Sequence, residues 1–452
     1  MNFFKIKRSK VKIIDDNDVY SYQNIFNEHN KLKKLNLEHG LVMLISSNSY
    51  ETLLFYSFFF NEKYPQIIID DKTSERKTFE IIERYKPKYI ILDKKEYINK
   101  FWEIKLRLNN FFFIKTNYKN FKLNKSIALL LSTSGTTGSQ KFVKLSYKNI
   151  KDNTNNIIKY LKINNKDSCI TTMPFAYSYG LSVINTHLKK NCSIILTKKS
   201  IFDKIFWERY NLYKVTNLNG VPIFFELLKK LGMQRTINQN LRFITQAGGK
   251  MEEELANLMI KFCNDNHIKL ITMYGQTEAS PRISYLKSKF LKSKFSSIGK
   301  PIPGGKIKII KNEIVYYGNN IFGGYSSNIQ DLKIFKNNKS LKTGDIGYVD
   351  KDGFVYITGR KKRIVKINGY RLSLDEIQNN IFNDLNIKIA CVETNNKLKI
   401  FFINIQERES IIKYLKKNLL ISGKFFKLII TKNFPLSLNN KINYKELIQN
   451  EN

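Results

Sequence analysis

Cysteine is scarce and scattered. Among 452 residues there are four, Cys169, Cys192, Cys263 and Cys391, and none sits in a CxxC pair or beside histidine. That pattern excludes a disulfide-stapled scaffold and a structural zinc site, and it points to a reducing compartment. Long apolar runs are missing too. The strongest, TLLFYSFFF at Thr52–Phe60, is too short to span a bilayer and is followed at once by NEK. The first residues, MNFFKIKRSKVKIIDD, are charged early and carry no apolar segment ending in a small-residue cleavage site. No secretory signal is expected, and the predicted location is cytoplasmic. Acidic residues are few: 38 Asp and Glu against 77 Lys and Arg, a net charge of +39. Such an excess suits polyanions, whether nucleic acid, an acidic lipid surface, an acidic carrier protein or polyphosphate ligands. The charge is diffuse and lysine-rich, however, with no basic arm and few of the bidentate arginine forks that base reading favours. It reads as compositional bias more than as a nucleic-acid interface; peripheral membrane contact stays open.

What is present is ample apolar material. Hydrophobic residues make up 42% of the chain, enough for globular folding, and the length implies two or three domains. Up to about residue 290 the pattern alternates between helices and short apolar strands. SYETLLFYSFFF reads as an apolar helix, followed by a turn at Tyr64-Pro65 and a strand at Gln66–Ile69. A strand at Tyr89–Leu92 follows Pro87, and the theme continues in SIALLLS, SCITTM, SIILT, LRFIT and KLITMYG. This alternation predicts a parallel α/β architecture. From Ser297 the texture changes to short strands punctuated by Gly, Pro and Lys-Asp-Gly, which predicts antiparallel hairpins. Beyond Arg360, Ser373 with Glu376 three residues on has capping-box spacing and predicts a helix start. The remainder reads as a small α+β unit, and the main boundary is placed near Lys361–Arg363.

Ser132–Lys141, STSGTTGSQK, follows the strand Ile127–Leu131 and precedes the alternating FVKLS, after which Ser146 is suited to cap a helix starting at Tyr147. Gly135 and Gly138 let backbone N–H groups turn inward. Ser132, Thr133, Ser134, Thr136, Thr137 and Ser139 add hydroxyl donors, and Lys141 adds a charge. These are the parts of a phosphate cradle. It is not a Walker A loop, because Gly138 is followed by Ser139-Gln140-Lys141 and not by Lys-Ser/Thr. A second stretch, MYGQTEAS (Met273–Ser280), places an aromatic ring, a hydroxyl and a carboxylate directly after an apolar strand. Those groups can stack on a base, bind a phosphate oxygen and hold magnesium. Read alone, each stretch is also compatible with an ordinary polar loop.

In order along the chain these stretches resemble the motifs of the adenylate-forming superfamily, the AMP-binding acyl-CoA synthetases and AMP-dependent ligases. The resemblance spans roughly Ser47 to Lys441. It implies an α/β fold with a large N-terminal domain of stacked α/β subdomains plus a small β-barrel-like part (1–361, slightly shortened at its start), then a small mobile α+β domain (362–452). It implies that the Ser132–Lys141 loop binds ATP phosphates, with proline usual where Gln140 stands. Tyr274, Gly275 and Gln276 would contact AMP, Thr277 a phosphate oxygen, and Glu278 the Mg²⁺. Asp345, in LKTGDIGYVDKDGFVYITGR, matches the residue that binds the ribose hydroxyls, and Arg360 the arginine beside it. Lys362 falls on the hinge. Lys366 and Gly369 fall on positions tied to the thiol step. Lys441, in FPLSLNNKINYKEL, matches the lysine of the adenylation step, preceded by Asn440 where glycine is usual.

The implied reaction joins a carboxylic acid to ATP, releasing pyrophosphate, and then passes the acyl group to coenzyme A or a phosphopantetheinyl carrier protein. Segments resembling the acyl pocket are MPFAYSYGL, NGVPIFFELL and TQAGGKM, which make Tyr177, Val221, Ala247, Gly248 and Gly249 its candidate lining. Phe224, Phe225, Tyr177 and Tyr179 fit core packing equally well. Amino-acid-activating relatives carry Asp where Ala176 stands, so a buried α-ammonium would lack a partner here. An apolar or hydroxylated acyl group is favoured over an amino acid, with fatty, short acyl and aryl acids all open. The rival readings are a carrier-protein ligase or amino-acid adenylation protein of a biosynthetic cluster, and a non-catalytic polyanion-binding protein.

Overall fold

The computed structural model describes residues 3–6, 9, 11–94, 99, 102–132, 141–367, 370–394, 397–418, 425–436 and 442–449. The chain divides into two compact units. The first is built from residues 1–133, 139–306 and 317–341, the second chiefly from 307–316 and 342–452.

The first unit holds two sheets with helices between them. In one, Ile127–Ser132, Gln66–Asp70, Val42–Ser46 and Tyr89–Leu92 run parallel, with antiparallel strands on either side. In the other, Lys269–Gly275, Phe243–Gln246, Asn217–Gly220, Ser168–Ile170, Ser193–Ile195 and Lys12–Ile14 are neighbours in that order, all parallel. The parallel strands are buried on both faces and are accordingly continuous apolar runs such as YIIL and IALLL. Helix Tyr50–Asn61 has no amphipathic stripe because every one of its residues is buried. Its Phe55, Phe59 and Phe60 join strands of both sheets and helix Ser178–Lys190 in one core. Phe224 and Phe225, left open between core and pocket, pack edge to face with ring centroids 5.2 Å apart and are buried.

Local signals act where they were expected. Ser146 caps helix Tyr147–Leu161 in a reciprocal capping box with Asn149. Ser373 accepts from the Glu376 N–H at 3.3 Å and opens helix Leu374–Leu385.

In the second unit, Leu341–Val349 and Val355–Arg360 form an antiparallel pair. Ile364–Ile367 and Tyr370–Ser373 form a second hairpin. Ala390–Thr394, Lys397–Phe402 and Phe426–Ile430 make a mixed three-stranded sheet. Helices Leu374–Leu385 and Arg408–Asn418 supply Ile377, Ile381, Ile411 and Leu415 to its own small core.

Candidate active site

In the parallel sheet of the first unit, three adjacent strands end side by side. Asn217–Gly220 runs into Val221, Phe243–Gln246 into Ala247-Gly248-Gly249, and Lys269–Gly275 into Gln276-Thr277-Glu278. The carboxyl ends of parallel strands are where α/β folds bind ligands. Ala247 is buried; Tyr177 and Val221 are half-buried. Gly248 has φ +91°, and a Cβ there would meet the Tyr177 hydroxyl and Val221 Cγ1, each at 3.0 Å. Tyr177, Val221 and Gly248, read as pocket lining from sequence, thus converge in space. Gly249 is exposed beside the Pro222 ring. Burial raises the Tyr177 phenol, so it stays protonated and a hydrogen-bond donor at neutral pH.

The MYGQTEAS stretch turns sharply because Gly275 has no side chain. A Cβ at Gly275 would lie 1.6 Å from the Pro281 carbonyl oxygen. The turn that follows, Thr277–Ala279, presents Thr277 Oγ1 3.2 Å from Ser178 Oγ. Ser178 is the first residue of helix Ser178–Lys190, so Thr277 stands at the electropositive end of that helix. Glu278 is only 9% exposed. Its Oε1 accepts from the Tyr325 phenol at 2.9 Å. Burial, then the Glu278 carboxylate, raise the Tyr325 phenol, so it remains a donor. Tyr274 is half-buried on the same strand end.

Glu278 fits magnesium. It offers a hard carboxylate oxygen, and among the described residues no cluster of three or more His, Cys, Asp or Glu could hold an ion unaided. A single protein carboxylate completed by phosphate oxygens and water is how Mg²⁺ is commonly bound beside nucleotides.

In the second unit Asp345 is buried and pairs in register with Arg360 across the hairpin. The Arg360 Nε donates to Asp345 Oδ1 at 2.9 Å. The Asp345 N–H donates to Thr343 Oγ1, and the Arg360 N–H to Asp375 Oδ2. A carboxylate fixed in this way is suited to accept from vicinal hydroxyls.

Of the loop, Ser132 ends its strand opposite Phe142 and Lys141 is exposed. Thr133, Ser134, Gly135, Thr136, Thr137 and Gly138 lie outside the described residues, as do Gly369 and Lys441. Lys362 lies in the turn Lys361–Arg363, and Lys366 pairs with Arg371 in the hairpin. Sequence reasoning missed Ser178 and Tyr325, which meet Thr277 and Glu278. Nothing local marks them, since each acts on a partner distant in the chain.

Polar and acidic side chains gathered at the carboxyl ends of parallel strands, in a two-sheet α/β unit, define a ligand-binding α/β protein. The chain belongs to the AMP-binding enzyme family, whose model matches residues 30–325. Among curated relatives it is similar to the 2-succinylbenzoate–CoA ligase of Bacillus cereus (strain AH820), 28% identical over 279 residues. That match covers 57% of this chain and 55% of the relative, so it spans little more than half the length of the curated proteins it matches. The same ligase of Bacillus mycoides (strain KBAB4) matches to the same extent. Among solved structures, o-succinylbenzoate coenzyme A synthetase (MenE) from Bacillus subtilis with ATP and magnesium has a TM-score of 0.76 at 18% identity, covering 99% of both chains. ATP-bound MatB from Rhodopseudomonas palustris has a TM-score of 0.76 at 18% identity, covering 100% of this chain and 99% of its own. At these identities the two structures establish the fold alone. No helix among the described residues is long and apolar enough to cross a membrane.

Proposed function

We propose that the chain is an AMP-forming acid–thiol ligase. A substrate carboxylate oxygen attacks the α-phosphorus of ATP; the bond to the β-phosphate breaks and pyrophosphate leaves. A thiol, of coenzyme A or a phosphopantetheinyl carrier, then attacks the acyl carbon, and AMP leaves. Phosphoryl transfer asks the protein mainly for positioning and for donors around the developing charge. Thr277, the Ser132–Lys141 loop and Lys441 are assigned that work. Glu278 would hold Mg²⁺, whose part is to spread phosphate charge. Tyr274, Gly275 and Gln276 are assigned to AMP, Asp345 and Arg360 to the ribose, and Tyr177, Val221, Ala247, Gly248 and Gly249 to the acyl group. Rotation of residues 362–452 about Lys362 would exchange Lys441 for Lys366 and Gly369 between the two half-reactions.

The observation that carries this reading is the Gly275 turn. It sets Thr277 at a helix N-terminus and Glu278 against Tyr325, directly past the strand ends that also bring Tyr177, Val221 and Gly248 together. The family match supports it, as do relatives named CoA ligases. The four cysteines, all buried free thiols, suit a cytoplasmic location. The test is carboxylate-dependent ATP–pyrophosphate exchange across fatty, hydroxy, aryl, dicarboxylic and amino acids. Exchange with one class, lost in Lys441→Ala, is the expected result. A folded protein that binds no ATP refutes the reading.

A further inference from the structure

The positive excess is diffuse along the sequence, but the fold gathers part of it at one place in the first unit. Phe3 and Tyr147 both pack on Phe60, with ring centroids 5.9 and 5.1 Å away. Three ammoniums lie over this aromatic platform. Lys63 Nζ is 4.2 Å from the centre of the Tyr147 ring. Lys189 Nζ is 4.2 Å and Lys151 Nζ 5.8 Å from the centre of the Phe3 ring. Lys189 Nζ also donates to the Phe3 carbonyl at 2.7 Å, which fixes it in place. Lys63 and Lys151 are in side-chain hydrogen-bond contact with each other. Lys5 and Lys190 stand close enough to Lys189 to repel it.

Elsewhere in the chain neighbouring lysines share an acid: Lys88 and Lys115 both pair with Glu38, at 3.1 and 2.9 Å. Here, among the described residues, no carboxylate answers. Glu62, next to Lys63, pairs with Lys33 at 3.0 Å. Asp152 follows Lys151 in helix Tyr147–Leu161, where adjacent positions do not share a face. Burial, then Lys151, lower the Lys63 ammonium from its ordinary value; burial, then Lys5, Lys151 and Lys190, lower that of Lys189. The carboxyl end of helix Ser178–Lys190 offsets part of the charge on Lys189 and Lys190. Lys151 has no such help, because it stands near the electropositive start of its helix, whose first turn holds no acidic residue. The ring contacts offset a further part. Two ammoniums in direct contact still need an anion between them.

We propose that Lys63, Lys151 and Lys189 form a surface site for a multiply charged phosphate group, which bridges their ammoniums above the Phe3–Phe60–Tyr147 platform. Ammoniums act as separate point charges and lack the flat fork of a guanidinium. They suit a phosphate with charge on several oxygens better than a planar carboxylate. The site is distinct from the candidate active site. Ser178, which meets Thr277, and Lys189 stand at opposite ends of one helix, about 17 Å apart along its axis. The inference therefore goes beyond the acid-activation reading and does not depend on it.

The test labels the full chain with an amine-acetylating reagent and reads each lysine by mass spectrometry. Labelling is compared in chloride and in inorganic phosphate at equal ionic strength, so that general screening cancels. A bound anion favours the ammonium over the reactive amine, so labelling of Lys63 and Lys189 should fall about tenfold in phosphate. The exposed Lys166 and Lys261 should keep their labelling. Lys151→Gln should abolish the protection of Lys63 and Lys189 and leave ATP–pyrophosphate exchange unchanged. A second arm uses phosphatidylcholine vesicles with and without phosphatidic acid. Protection by the phosphatidic acid vesicles alone assigns the phosphate to a lipid headgroup; protection by the free ion assigns it to a soluble ligand. Labelling that neither form of phosphate lowers, that chloride lowers equally, or that stays protected in Lys151→Gln overturns the inference.

Discussion

Gly275→Ala isolates the turn on which the site depends. The added Cβ would lie 1.6 Å from the Pro281 oxygen and 2.8 Å from its carbon, where real Cβ contacts stay beyond 3.0 Å. Raising the first distance to 3.0 Å means a shift of about 1.4 Å between backbones that are paired in the sheet. Both neighbours are main chain, so no side chain can swing aside. Thr277 and Glu278 ride on the displaced segment. A misplacement of about 1 Å costs roughly a hundredfold in rate, so exchange should fall by at least about that factor. Overpacking of this kind also lowers stability by about 1–3 kcal/mol. Gly304→Ala is the control: its φ is +76°, and nothing lies within 4 Å of an added Cβ. It should cost about 1–2 kcal/mol from backbone strain alone and leave exchange unchanged. Exchange rates and denaturant midpoints measured on both variants separate the effects. A folded Gly275→Ala protein with wild-type exchange would refute the claim that the turn positions the reacting groups.

Tyr325→Phe removes the 2.9 Å donor to Glu278 Oε1 and should raise the Mg²⁺ concentration for half-maximal exchange by about tenfold, as losses behind a metal ligand do. An unchanged magnesium curve would show that Glu278 needs no such support. Asp345→Asn takes the charge from the carboxylate that Arg360 engages; the KM for ATP should rise about ten- to a hundredfold while the acid dependence stays. A shift confined to the acid would contradict the ribose assignment. His29 is buried against the Leu54 carbonyl and Ser57 Oγ, and burial lowers its pKa from 6.5 to about 4. The unfolded chain therefore takes the proton first, and stability that is complete above pH 6.5 is lost as pH falls towards 4, by about 3 kcal/mol. His29→Gln should flatten that acid limb in urea unfolding; His187, lowered in the same direction by burial, keeps it from vanishing. A limb as steep as that of the wild type would exclude His29 as a source.

What the sequence disclosed and what it withheld divide by the reach of the interactions. Ser146 and Ser373 cap helices three residues away, and strand Tyr89–Leu92 is apolar because it is covered on both faces, so short windows suffice for them. Thr277 and Glu278 are legible because the Tyr-Gly-x-Thr-Glu run is itself contiguous. Tyr325 is not: it reaches Glu278 from 47 residues away. Arg282 is the sharper case. In sequence it is one positive charge among 77 and lies just past a recognised motif, after Pro281, without belonging to it. Its burial follows from the register that sets it opposite Gly275, and from a helix that brings Tyr179 and Ser182 to it from about a hundred residues earlier. Neither that register nor that helix is marked in the residues beside Arg282, so any short window reads it as one more solvated charge, and only the pairing of distant segments buries it.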